Sequence, residues 1–359
     1  MSAALSDRDL LVELVMIPSV STRERPAVEY LVAQMRARGF HARVDEAGNA
    51  VGEIGDGPLH VALVGHIDTV AGDIPVTVHG DELVGRGAVD AKGALAAFVA
   101  AATAPPDGVR ITVAGAVEEE HPSSRGARAL ATTPAPDFCV IGEPSGWDAV
   151  TVGYKGSLQL RVRIERPARH GAQESASVAE DAVALFGELK RRAGARTRET
   201  TPFQRVDCRL AAIRAEPGDG LIERAEFHVA YRLPPGVGTA ELIADARELS
   251  PEVVVLAAEE PIKVSRANPL ARAFLAAIRH AGGEPTFKVK TGTSDMNVLA
   301  PVWRCPIVAY GPGDSRYDHT PTERLDLRDY DRSAAVLRAV LASLGGMAPE
   351  VANTRALAR

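Results

Sequence analysis

Apolar and polar positions change period along this chain, and the change divides it. Residues 6–18 carry apolar positions at helical spacing behind Ser6, a fitting N-cap, and residues 26–38 do the same up to Gly39. Short apolar runs follow at Leu59–Gly65, Val109–Val117 and Asp137–Gly142, each bounded by turn residues in the manner of a buried strand. Between them lie an Ala-rich helical stretch, Ala91–Ala104, and a weaker one, Ser124–Thr132. Buried strands alternating with helices predict an α/β fold around a mostly parallel, covered sheet.

Near residue 155 the period drops to two. Lys155–Glu165 alternates polar and apolar positions like a half-exposed strand. A helix over 176–193, strands near 205–213 and 222–232, a helix over 239–248 and a strand over 252–257 complete a βαββαβ pattern. This predicts an α+β domain at 160–265, inserted into a larger domain formed by 1–159 and 266–346. The α/β pattern resumes with a helix opened by Asn268-Pro269 and closed by Gly282-Gly283. A buried strand, Pro306–Tyr310, and a last helix from Asp326 to Gly345-Gly346 follow, and 347–359 read as a disordered tail.

A length of 359 residues fits two domains at roughly 150 residues each. Aromatics are 4 % of the chain, so the core must be built from Ala, Val, Leu and Ile. The net charge is −6, which weighs against a general nucleic-acid binder. Cys139, Cys208 and Cys305 are scattered without a C-x-x-C pair, as expected in a reducing compartment. Asp7, Asp9 and Glu13 do not fit a signal peptide, and the longest apolar run, Gly93–Ala104, is too short to span a bilayer. The expectation is a cytoplasmic protein that binds neither nucleic acid nor membrane.

Charge gathers where the apolar strands end. Leu59–Gly65 runs into His66-Ile67-Asp68, Val109–Val117 into Glu118-Glu119-Glu120, and Asp137–Gly142 into Glu143. Asp90 precedes the Ala-rich helix, and His319 follows the Pro306–Tyr310 strand. Open α/β sheets bind ligands beyond the carboxyl ends of their strands. Burying carboxylates without partners is costly, and metal ions would remove that cost. His66, Asp90, Glu120, Glu143 and His319 could serve two divalent ions if one carboxylate bridged them, leaving each ion an open position. Mixed imidazole and carboxylate donors suit zinc, cobalt or manganese better than magnesium. Taken singly, each motif has a plainer reading: a run of glutamates is usually a solvated face, and H-T-P-x-E can be a simple turn. Spacing alone leaves the metal site at even odds.

Five ordered motifs together are more specific. GHIDTV (65–70), GRGAVDAKG (85–93), VEEE (117–120), IGEPS (141–145) and HTPTE (319–323) resemble, in order and over nearly the whole chain, the metal-dependent hydrolases of peptidase family M20. The resemblance implies that His66 and Glu143 bind one metal, Glu120 and His319 the other, and Asp90 bridges them. It further implies a cis peptide after Asp90, Asp68 as the partner that orients His66, and Glu119 as general base. Glu118 takes the position where relatives carry Asp; a slip in that alignment would move the Glu119 and Glu120 roles by one. His121 reads as a neighbour. The inserted domain resembles the family's lid and dimerisation domain and implies a homodimer, with His170 stabilising the developing oxyanion. Arg232 and the Gly292–Asp295 loop resemble substrate-side segments.

Within the family, KTGTSDMNVLAP (290–301) and AYGPGDSRYDHTPTERLDL (309–327) are similar to the branch that releases lysine or ornithine from an acidic, LysW-like amino-group carrier protein. The basic run Lys190, Arg191, Arg192, Arg196 and Arg198 is a candidate surface for docking that carrier, or simply a solvated helix end. The resemblance thus implies two divalent ions, zinc first and cobalt second. Two other functions stay open: a deacylase of N-acetylornithine, N-acetyllysine or N-succinyl-diaminopimelate, and a catalytically silent binding protein of the same family. A nucleotide-binding α/β protein has little support, since no G-x-G-x-x-G occurs.

Overall fold

The computed structural model describes residues 5–168, 176–197, 201–216 and 220–347. The chain forms two compact units. The larger holds residues up to Val152, Val264–Lys288 and the chain from Ser294 onward; the smaller holds Gly153–Lys263 and Val289–Thr293.

In chain order the larger unit opens with α1 (Asp7–Met16), α2 (Arg25–Ala37), β1 (His41–Val44), β2 (Ala50–Ile54), β3 (Leu59–His66), β4 (Thr77–His79) and β5 (Glu82–Val84). Then come α3 (Lys92–Ala102), β6 (Val109–Ala116), α4 (Arg125–Ala131), β7 (Phe138–Gly142) and β8 (Ala149–Tyr154). The next elements are β9 (Gly156–Pro167), α5 (Val178–Ala195), β10 (Asp207–Glu216), β11 (Ile222–Leu233), α6 (Thr239–Leu249), β12 (Glu252–Glu259) and β13 (Ile262–Lys263). The last are α7 (Pro269–His280), β14 (Thr286–Lys290), α8 (Asp295–Trp303), β15 (Ile307–Tyr310), β16 (Arg324–Asp326) and α9 (Leu327–Gly345).

The larger unit's sheet runs β1-β2-β6-β3-β7-β15-β8. Its centre is parallel: β3 pairs with β6 and β7, and β15 with β7. Those strands are apolar along most of their length because helices cover both faces. β1, β2 and β8 add antiparallel pairs at the flanks. Helix α3 is buried over its whole length, and Gly65 of β3 lets Leu95 of the helix lie close against that strand. Register matters for function. His66 stands opposite Ala116, and Gly65 stands opposite both Gly115 and Gly142. The three central strands therefore stop level with one another and discharge their next residues at one edge.

The smaller unit is a four-stranded antiparallel sheet, β10-β11-β9-β12, with α5 and α6 packed against it. Burial alternates along β9 and β11, as the period-two pattern predicted. Ser177 and Glu180 close a capping box on α5, satisfying amides its first turn would leave open. Ion pairs bind the unit's polar surface: Arg224 to Glu165 at 2.7 Å, Arg163 to Glu226 at 3.2 Å, Arg196 to Asp245 at 2.7 Å and Arg192 to Glu248 at 2.8 Å. Arg191 pairs with Glu188 at 2.6 Å, so the basic run of α5 is largely engaged by acids of its own unit; Arg198 lies outside the described residues. Among the described residues, no helix is long and apolar enough to cross a membrane.

Candidate metal centre

The level strand ends bring the predicted residues together in the larger unit. His66 closes β3 and is 2 % exposed; Glu143, directly after β7, is 6 % exposed. Asp90 sits just before α3, with a cis Asp90–Ala91 peptide. His319, on the loop ahead of β16, has left-handed backbone at φ 59°.

Asp90 is the hub. Its Oδ1 lies 3.2 Å from His66 Nε2 and its Oδ2 lies 2.9 Å from His319 Nε2. His319 Nε2 is also 2.5 Å from Glu120 Oε1. Among the described residues, His66, Asp90 and Glu120 offer three donor atoms that all lie within 4.8 Å of one another. Glu143 is close enough for its charge to act on Glu119. One carboxylate with its two oxygens shared between two imidazoles is the arrangement a bridging ligand requires. The donor set fits a pair of divalent ions of the borderline class.

The acidic turn is built with equal care. Four successive amides each donate to a side-chain oxygen from elsewhere in the chain. Val117 N–H donates to Asn49 Oδ1 at 3.0 Å and Glu118 N–H to Glu24 Oε1 at 3.2 Å. The amides of Glu119 and Glu120 donate to Asp68 Oδ1 and Oδ2, both at 3.0 Å. Glu118, at φ 60°, turns its carboxylate to Arg125 at 2.8 Å and to the Ser123 hydroxyl. Glu118 is thus engaged beside the cluster, while Glu120 reaches His319. His121 rests against Ser123.

Charge crowding perturbs the titration of these groups. Burial pushes Glu119 well above the usual carboxylate range; His66 opposes this, and the charges of Glu120, Glu143 and Asp295 add to it. For His66, burial disfavours the charged ring, yet Asp68 and Asp90 outweigh it and raise its pKa. Hydrogen bonds to Asp90 and Glu120 lift His319 to about 10.

Asp68 departs from the expected detail. The His66 ring is oriented by Nδ1 donating to the Asp68 backbone carbonyl at 2.9 Å, with the carboxylate farther off at 3.6 Å. That carboxylate serves mainly the Glu119 and Glu120 amides and the Ser21 hydroxyl at 2.7 Å. Burial would raise the Asp68 pKa, but His66 and these donors hold it low. His170 lies outside the described residues. In the smaller unit Arg232 donates to Thr293 Oγ1 at 3.3 Å. Sequence reasoning missed Glu24 and Asn49, whose type and position carried no motif, and Glu323, which ends the HTPTE motif but received no role.

Residues 62–343 match the model of Peptidase family M20/M25/M40, and the chain belongs to that family of metal-dependent hydrolases. It is 47 % identical over 358 residues to the [LysW]-lysine hydrolase of Deinococcus radiodurans, covering 96 % of this chain and 98 % of that one. It is 27 % identical over 324 residues to the [LysW]-lysine/[LysW]-ornithine hydrolase of Saccharolobus solfataricus, covering 89 % and 90 %. Its fold is similar to an M20 family metallo-carboxypeptidase from Sulfolobus solfataricus, with a TM-score of 0.78 at 16 % identity over 94 % of this chain and 99 % of that one.

Proposed function

We propose that the chain is a two-metal amide hydrolase that frees lysine, ornithine or both from the C-terminal glutamate of an acidic LysW-like carrier protein. The carrying observation is Asp90, whose two oxygens are divided between His66 and His319. Near full-length identity to a [LysW]-lysine hydrolase supports the substrate class. In this reading His66 and Glu143 hold one ion, His319 and Glu120 the other, and Asp90 both, with zinc first and cobalt second. Such ions, when bound, polarise a carbonyl and lower the pKa of water.

The chain's own groups do the rest. Glu119 takes the proton of the attacking water on its carboxylate and passes it to the leaving amine nitrogen. A raised pKa suits a group that must accept and then yield a proton near neutrality. Asp68 sets Glu119 and Glu120 in place through their amides. His170 is assigned the oxyanion, in a homodimer.

The test compares kcat/KM of the metal-loaded protein on carrier-linked lysine, carrier-linked ornithine and N-acetylornithine. Carrier-linked lysine is expected to lead. Equal or faster turnover of N-acetylornithine would make the chain a small-molecule deacylase, and no turnover of any amide would make it a silent relative.

A further inference from the structure

His319 and Glu323 lie four residues apart on the segment that enters β16, and both act on Asp90. His319 meets its side chain. Glu323, fully buried, meets its main chain: Oε1 accepts from the amides of Val89 at 3.0 Å and Asp90 at 3.1 Å. Its Oε2 accepts from Arg86 Nη1 at 2.7 Å, and its backbone carbonyl accepts from Gly85 N–H at 3.2 Å. One short segment therefore grips Asp90 from both ends and ties down the whole Gly85–Asp90 loop.

We propose that Glu323 is a positioning residue for the two-ion site, fixing the Asp90 backbone so that both of its carboxylate oxygens stay turned to the two imidazoles. This rests on the two-metal reading above. Glu323 acts on Asp90 through the main chain. A bridging ligand must satisfy two partners at once, so a small rotation of Asp90 that one ion tolerates will cost the other. Charge-assisted bonds to amides are roughly twice as strong as neutral ones, which accounts for a buried acid here instead of a hydroxyl.

Glu323→Gln keeps the volume and one acceptor, but must aim an amide NH₂ either at Arg86 or at the two backbone amides. Metal-free protein is titrated with Co²⁺ and followed by calorimetry and by the visible absorption of the bound ion. The unsubstituted chain is expected to take up two ions. In E323Q one ion should bind within about threefold of normal and the other about 10–100-fold more weakly, the usual cost of losing a partner that orients a ligand. The absorption of the second equivalent should change, and kcat should fall with KM nearly constant. If E323Q does not fold, Arg86→Gln carries the test, with a smaller loss at the same ion. Two normal affinities and an unchanged spectrum, with only a lowered Tm, would overturn the positioning role alone. An unsubstituted chain that takes up no ion would overturn the two-metal reading, and this role with it.

Discussion

The smaller unit's surface and the larger unit's acidic crevice use charge in opposite ways. In the smaller unit, arginines meet acids across neighbouring strands and helices, as Arg224 meets Glu165 and Arg196 meets Asp245. In the larger unit, acids are gathered with acids: Glu119 is raised by Glu120, Glu143 and Asp295 after burial has already acted. Opposite charges at a surface add modestly to stability, about 0–1 kcal/mol a pair. Like charges in a crevice cost stability and are kept for what they can bind. The contrast separates charge that holds a shape from charge that holds a reaction.

That contrast can be broken or sharpened by experiment. Chelation should reach furthest: stripping divalent ions is expected to abolish amide hydrolysis, with Zn²⁺ or Co²⁺ restoring it, and to lower Tm. At ions about 100-fold above Kd the lost stabilisation is about 2.7 kcal/mol, readable by thermal unfolding with and without metal. Next, Glu119→Gln should cut kcat by about 10²–10⁴ while ion content stays at two per chain. Loss of metal in that variant would recast Glu119 as a ligand.

Asp68→Asn retains one oxygen for two amides and should cost about 10–100-fold in kcat/KM, since either the Glu119 or the Glu120 amide then faces an NH₂ in place of its acceptor. Proton bookkeeping gives a further check. His319 holds its proton up to about pH 10 in the metal-free cluster. Ion binding must expel that proton, so apparent affinity should fall by up to about tenfold for each unit the pH is lowered below that value. Calorimetry in buffers of different ionisation enthalpy counts the protons; none released would mean the imidazole is not a ligand. Smallest of all, Arg196→Ala in the smaller unit should cost about 1 kcal/mol or less in chemical unfolding and leave turnover of carrier-linked lysine within about twofold. A large loss on that substrate, absent on N-acetyllysine, would restore the α5 run as a docking surface.

Much of the larger unit was legible because its central strands are buried on both faces and end in charge. β3, β6, β7 and β15 announce themselves as apolar runs; His66 closes β3, Glu143 directly follows β7, and Glu120 comes four residues after β6. β1 and β2 escaped notice because they are four and five residues long and sit at the sheet's flank, where burial leaves little period to read. β14 is mostly exposed and carries two lysines, so its pattern resembles a loop. α8 was quoted as a motif and not read as a helix, although Ser294 and Asn297 form a capping box on it. The orientation of His66 by a backbone carbonyl could not be read at all, because every residue has one.

The acidic turn draws its four anchors from residues 24, 49 and 68, on three segments well upstream of residue 117. A piece cut downstream of Asp68 would carry the turn without any of these acceptors. His319, which meets Asp90 and Glu120, comes 199 residues after Glu120, so a half-made molecule holds the acidic turn without the imidazole that completes the cluster.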